Sequence, residues 1–380
     1  MSRLRMLTLL RLAIAVHAFV VPLFYELPVP GLRLTSNDLL SALILLSWGA
    51  WAGYRLLARR DRAPAAMALG PLFPATAVFA LSHVLSTAVA RDTFVAIRET
   101  TKTLGILFFL LVAQGLIADP ADRRRLAWAA TLGAAVASLL AIAESFSWRG
   151  SWAYLALRPS ATTGNPNTLG AYLAALLPVG FALIMGSGVK LSDASGMVGR
   201  TARALVTSLA VLLTTLIALA LLLTLSRGSW ISAVAAALAW VAVAGRSLRR
   251  GLRSRTVPGM IPGLTAAAGV ILGVVVVVAS VVPAPALDRA RATIAARARS
   301  LTSLESSSDG VRIVLVQASW RMFQEHPLFG VGPGNFATEV DEVAPRVVSD
   351  QDRVLLPRVT ALEFPHNWPA QIAAENGLLG

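Results

Sequence analysis

Residues 205–225 read LVTSLAVLLTTLIALALLLTL, without one charged side chain, and run straight into Ser226, Arg227, Gly228, Ser229 and Trp230. A stretch of that length, with nothing in it that needs water, matches the roughly 20 residues a helix requires to cross the hydrocarbon of a bilayer. Similar stretches lie on both sides of it, near 7–27, 39–57, 69–89, 103–117, 126–145, 169–187, 230–244 and 264–282. About nine transmembrane helices are therefore expected. The bulk properties agree: 380 residues, 56% hydrophobic, only 14% charged, with a mean hydropathy of +0.67. One soluble core cannot bury that much apolar surface. The expected fold is an all-α integral membrane protein, a polytopic helical bundle.

A formal net charge of +14 invites a nucleic-acid partner. That reading needs basic side chains gathered on one soluble face, and here they stand in short runs between apolar blocks. No nucleic acid is expected; the partner of those runs is the lipid bilayer. Arg3 with Arg5, the run Arg55 to Arg62, Arg123 to Arg125, Lys190 to Arg203, and Arg246 to Arg255 alternate with loops poorer in charge, as the positive-inside rule requires. The amino terminus then faces the cytoplasm. The first span is an anchor, because a second span follows at once and no small-residue cleavage site stands out. Nine crossings divide the chain into a transmembrane bundle, 1–282, and an external region, 283–380. That region opens with the amphipathic PAPALDRARATIAARARSL, broken by LESSSDG. A helix follows with Val311, Val314, Leu315, Ala318 and Met322 on one face, then a glycine-rich turn and an acidic connector. Amphipathic helices of this kind suit a layer on the bilayer surface.

The chemistry-bearing side chains concentrate between Arg312 and Gly380. Zero cysteines exclude disulfides, thiolate metal sites and a cysteine nucleophile. In FPHNWP, His366 stands ahead of a helix with Asn367 as its cap, Pro369 in its first turn and Gly377 as its stop. The positive end of a helix keeps an imidazole neutral, as a general base must be. Two readings stand for His366, a base or a surface-loop histidine. Two also stand for Arg227, which lies in a turn too short to be a free loop: a functional arginine facing the bundle, or one snorkelling to headgroups. A guanidinium suits a diphosphate because its planar fork donates paired hydrogen bonds to phosphate oxygens. Arg312, and Arg98 with Lys102 on an outer loop, are candidates to extend such a cluster. Asn165 and Asn167 in TTGNPNTLGAYL are candidates to bind sugar hydroxyls, and Asn367 to bind substrate beside His366. GVGPGNF is no phosphate loop, since it lacks the Lys-Ser/Thr pair and a preceding strand; it reads as a structural turn. No two histidines have metal-site spacing, so neither a catalytic metal nor a cofactor is expected.

TGNPNTLGAYLAALLP, LTLSRGSWISAVAA, the run from Arg312 through Trp320 to EHPLFGVGPGNF, and PHNWPAQIAAENGLLG, in that order, resemble the O-antigen ligase and O-antigen polymerase family. The resemblance covers the chain from about Gly164 onward. It implies a metal-independent, inverting membrane glycosyltransferase that takes a glycan from a polyprenyl (undecaprenyl) diphosphate carrier and transfers it to an acceptor hydroxyl on the outer face of a bacterial cytoplasmic membrane, which would make 283–380 periplasmic. In that family an arginine matching Arg227 and a histidine matching His366 are essential. Three acceptors remain open: a lipid-linked core sugar, as in lipopolysaccharide ligation, a growing polysaccharide, or a protein hydroxyl, as in O-oligosaccharyl transfer. Family members usually continue into further spans after AENGLLG, so two readings stand for a bundle ending there, a C-terminal truncation or a shortened relative. From a different class, a transporter or flippase of a lipid-linked substrate would also present outward arginines. It would be expected to carry more ionisable or helix-breaking residues at the midplane.

Overall fold

The computed structural model describes residues 3–23, 35–57, 73–117, 119–147, 158–187, 197–239, 307–362 and 364–379, with a few positions between 288 and 296. The expected span at 264–282 and most of the amphipathic stretch 283–301 lie outside the described residues. In chain order the helices are α1 (Arg3–Val20), α2 (Ser36–Leu57), α3 (Phe73–Thr87), α4 (Thr93–Leu116), α5 (Pro120–Ser147), α6 (Pro166–Ser187), α7 (Met197–Leu223), α8 (227–239), α9 (Ser307–Glu325), α10 (Phe336–Val347), α11 (Leu356–Thr360) and α12 (Trp368–Asn376). Among the described residues there is no strand. Four segments are helical, long and apolar enough to cross a membrane: Arg5–Leu23, Pro120–Ser145, Pro166–Gly186 and Ala204–Leu223, with Phe73–Thr87 a shorter apolar helix. Among the described residues, then, four helices meet this measure, and the expected count of about nine is not confirmed.

One expected boundary moves in a way that matters for the site. The span expected at 103–117 is the end of α4, which starts at Thr93. Asp92 begins it: its carboxylate accepts the Val95 N–H at 3.0 Å, and its carbonyl accepts the Ala96 N–H. This is an acidic N-cap on the positive end of a helix. Arg98 and Lys102 consequently ride on the second and third turns of a helix and not on a loop.

The chain forms two compact units, residues 1–44 with 117–301, and residues 45–116 with 302–380. In the first, α5, α6 and α7 enclose a core of Ala134, Ala137, Ala141, Leu169, Leu173, Ile217 and Ala220, and α1 packs along α5. The alanines in it let helix backbones approach closely, the packing that substitutes for hydrophobic driving force between helices in lipid. Gly170 of α6 shows how close: a Cβ there would lie 2.6 Å from Ser229 Oγ. Helix α7 ends at Leu223, Leu225 takes a left-handed φ of 51°, and α8 begins at Arg227.

In the second unit α9 to α12 make their own core. Val311, Val314, Leu315, Ala318 and Met322, the face expected from the sequence, are all buried, packed with Phe336, Val340, Val343, Val359 and Ala374. Burying a side chain such as Phe336 contributes about 1.5 to 3 kcal/mol. The apolar face of α9 is thus covered by protein, where a bilayer-surface helix would present it to lipid. Two local expectations are corrected here. Helix α9 starts at Ser307, inside the serine run read as a break, and the acidic connector after the glycine-rich turn contains α10 and α11. Phe336, Val340, Val343 and Ala344 carry the helical spacing that marks α10, and its acids lie among them.

Candidate active site

His366 stands where the chain turns into α12. Pro365 before it is buried, while His366 itself is exposed and has a φ of 53°. For a side chain with a Cβ that left-handed conformation costs about 1 to 2 kcal/mol, so the surroundings must impose it. Asn367 does part of this, since its side chain accepts the Ala370 N–H at 3.2 Å and caps the helix as expected. The His366 pKa is held below the ordinary histidine value, first because the surrounding protein desolvates the ring and second because the Arg312 guanidinium repels the imidazolium. The direction is the one expected from the helix end; the named causes are burial and Arg312. The Arg312 charge thus acts on the His366 ring, in the sense that disfavours the imidazolium.

Behind His366, α12 is clasped by the glycine-rich turn. Val331 N–H donates to the Ala374 carbonyl at 2.9 Å, Gly332 N–H to the Glu375 carbonyl at 3.0 Å, and Leu378 N–H to the Pro327 carbonyl at 2.9 Å. The backbones meet so closely that a Cβ at Gly330 would lie 2.3 Å from the Glu375 carbonyl carbon. Gly330, with a φ of 68°, fits because it has none. The Ser86 hydroxyl of α3 faces both the Phe329 and the Glu375 carbonyls. Asn335, fully buried, ties the turn to the start of α4 by accepting the Asp92 N–H at 2.7 Å and donating to the Asp92 carbonyl at 3.2 Å. Asn376 Nδ2 donates to His83 Nδ1 at 3.0 Å.

The side chain at the centre of this clasp is Glu375, a residue to which the sequence reading assigned no role. It is 6% exposed, and its carboxyl meets the backbone N–H groups of Gly334 and Phe336 and the Gln371 amide, the last at 3.3 Å. Burial pushes its pKa up to about 7 against the pull of those donors, and the Glu99 charge adds to the rise. The available signal was a lone acid in the apolar run IAAEN, four residues after Gln371.

Arg227 belongs to the other unit. It is half-buried at the first position of α8. Small hydroxyls hold the turn before it: Ser226 N–H donates to Thr224 Oγ1 at 3.3 Å, Ser229 Oγ to Ser226 Oγ at 2.9 Å, and the Trp230 indole to the Leu221 carbonyl at 3.1 Å. Arg158, counted in the sequence only as one loop charge, joins this turn. Its guanidinium donates to the Thr224 carbonyl at 3.3 Å and to Asn167 Oδ1 at 2.7 Å. Asn165 Oδ1 accepts the Asn167 N–H at 2.8 Å, an Asx turn opening α6. The side-chain oxygens of Asn165 and Asn167 are thus both engaged within the protein. Arg98 and Lys102 form a cluster of their own, each paired with Glu99, at 2.9 and 3.4 Å.

No curated protein and no solved structure matches the chain. A family model described as O-antigen ligase matches residues 209–380, a range that contains Arg227, Arg312, the glycine-rich turn, His366 and Glu375. Over residues 209–380, a little under half of its length, the chain is similar to the O-antigen ligase family.

Proposed function

We propose that this protein is a membrane glycosyltransferase of surface polysaccharide biosynthesis, moving a glycan from a polyprenyl diphosphate carrier to an acceptor hydroxyl at the outer face of the bacterial cytoplasmic membrane. The observation that carries the proposal is His366, held at a left-handed φ with its pKa lowered beside Arg312. A base working near neutral pH needs a neutral imidazole, and an anionic donor needs a cation near the base.

In the proposed step the acceptor oxygen forms its bond to the anomeric carbon while the bond from that carbon to the diphosphate oxygen breaks. The acceptor proton passes to His366. The bonding electron pair leaves with the diphosphate, and the attack inverts the anomeric centre. To Arg227 we assign the leaving diphosphate and to Arg312 the donor charge nearest the base, so that arginines carry the charge without a metal. Asn367 orients His366 by capping α12. The acceptor class we favour is a glycan or lipid-linked sugar, as the family description suggests.

The test is transfer from a purified polyprenyl-diphosphate glycan by detergent-solubilised protein. His366→Ala should lower the rate by about 10² to 10⁴ and leave donor binding nearly unchanged, because a base acts in the chemical step. Wild-type transfer by that variant would return His366 to a surface-loop role.

A further inference from the structure

Away from these residues, at the end of the first unit where one span begins at Pro120 and another finishes at Gly186, two cavities open beside the start of α5. The larger, about 780 Å³, lies between α5 and α6 and is walled by Val179, Ala182 and Leu183. The second, about 670 Å³, lies along Trp128, Ala129 and Leu132 of α5. Pro120 and Arg124 line both. Arg124 is thus the cation between two apolar grooves.

Its neighbours are already engaged. Arg125 Nη1 lies 2.9 Å from Asp122 Oδ1, Arg11 Nη1 lies 2.9 Å from Asp122 Oδ2, and Arg123 Nε donates to the Ile117 carbonyl at 3.3 Å. Asp119, which lines the second groove, uses Oδ1 to accept the Ala121 N–H at 2.7 Å. Arg124 is exposed and has no ion-pair partner among the described residues. Four arginines against two aspartates leave this end positive. A basic pocket at headgroup level between membrane helices recognises anionic lipid headgroups, and a guanidinium grips a phosphate through paired hydrogen bonds.

The geometry points to a binding site for an anionic two-chain phospholipid, its phosphate on Arg124 and one acyl chain in each flanking groove. Two grooves on either side of one cation suit a diacyl lipid; a polyprenyl phosphate, with one chain, fills only one of them. The site is independent of the transferase reading.

The experiment uses the full chain in a neutral detergent. Thermal unfolding is followed with added phosphatidylglycerol, phosphatidylcholine or undecaprenyl phosphate, and co-purified lipid is counted by native mass spectrometry. Phosphatidylglycerol at saturating concentration should raise the unfolding midpoint by roughly 5 °C, as binding to the native state alone requires. Phosphatidylcholine should raise it less. Arg124→Gln, at a position without an ion-pair partner among the described residues, should lose most of the gain and the retained lipid. Leu183→Trp, which fills the larger groove, should lower lipid retention while Arg124 remains. Equal stabilisation by the two phospholipids, an undiminished gain in Arg124→Gln, or a larger effect of undecaprenyl phosphate would overturn the assignment.

Discussion

The turn that carries Arg227 and the segment that carries His366 are made rigid by different means. At Arg227 the work is done by short hydroxyls. Thr224, Ser226 and Ser229 are all buried and supply local partners where α7 stops and α8 starts, the way a helix break is tolerated among apolar helices. At His366 the support comes from backbone meeting backbone, with glycines where side chains would collide and one buried carboxyl in the middle. The first arrangement is satisfied mainly by neighbours in sequence, with Arg158 the one distant partner described above, and its hydroxyls do not titrate. The second depends on partners far along the chain and contains a group that titrates.

The sharpest way to break the clasp is Gly330→Ala. Its Cβ would meet backbone at 2.3 Å and its φ of 68° would be strained, so a loss of about 3 to 5 kcal/mol is expected. Gly164, in the first unit, also has a left-handed φ, 64°, but open space around its missing Cβ. Gly164→Ala should cost only about 1 to 2 kcal/mol, the conformational part alone. Unfolding midpoints of the two variants in detergent measure the difference; equal losses would mean that close approach adds nothing.

The second prediction concerns Arg227→Lys. Lysine keeps the charge but loses the paired geometry, so transfer should fall by about 10²-fold if the guanidinium grips a diphosphate. A snorkelling arginine would be replaced without loss. Initial rates over a range of donor concentration decide between them, with the unfolding midpoint confirming that the hydroxyl-braced turn is intact.

The smallest effect separates the two regions by pH. Glu375 titrates near 7 in the folded protein against 4.5 for a free glutamate. As pH rises, the unfolded chain gives up this proton first, and the folded chain holds it until near 7. The stability present below about pH 4.5 is therefore lost as pH climbs to about 7, by on the order of 2 to 3 kcal/mol, and levels off above. Glu375→Gln should flatten that slope, with the gain over wild type larger at pH 8 than at pH 5. Midpoints at the two pH values are the measurement; an unchanged slope would remove Glu375 as its source.

Much of this was legible in the chain. Length and hydropathy mark the apolar helices, because burial in lipid leaves a local record in every residue of a span. The buried face of α9 and the Asn367 cap were equally local, one a spacing and the other a residue type at a helix start. The pairing of Lys102 with Glu99 was also available, since neighbours three apart meet on a helix once the Asp92 cap places them on one. What the sequence withheld was long-range: that the glycines of the turn are small because α12 lies against them, that Arg158 reaches Thr224, and that Glu375 sits among backbone donors from the glycine-rich turn and the start of α10. Composition carries no trace of which distant segment will occupy the space beside a missing Cβ.

The contact between Ser86 and the Glu375 carbonyl joins residues 289 positions apart. At roughly 5 to 20 residues per second of synthesis, α3 waits about 15 to 60 s for that partner to be made. The Ser86 hydroxyl and the Asp92 backbone, which Asn335 later engages, must be kept from other partners throughout that delay. Assembly of the His366 segment is thus a late event in the life of each chain, and its yield should depend on how well the cell's insertion machinery shelters α3 and α4 in the meantime.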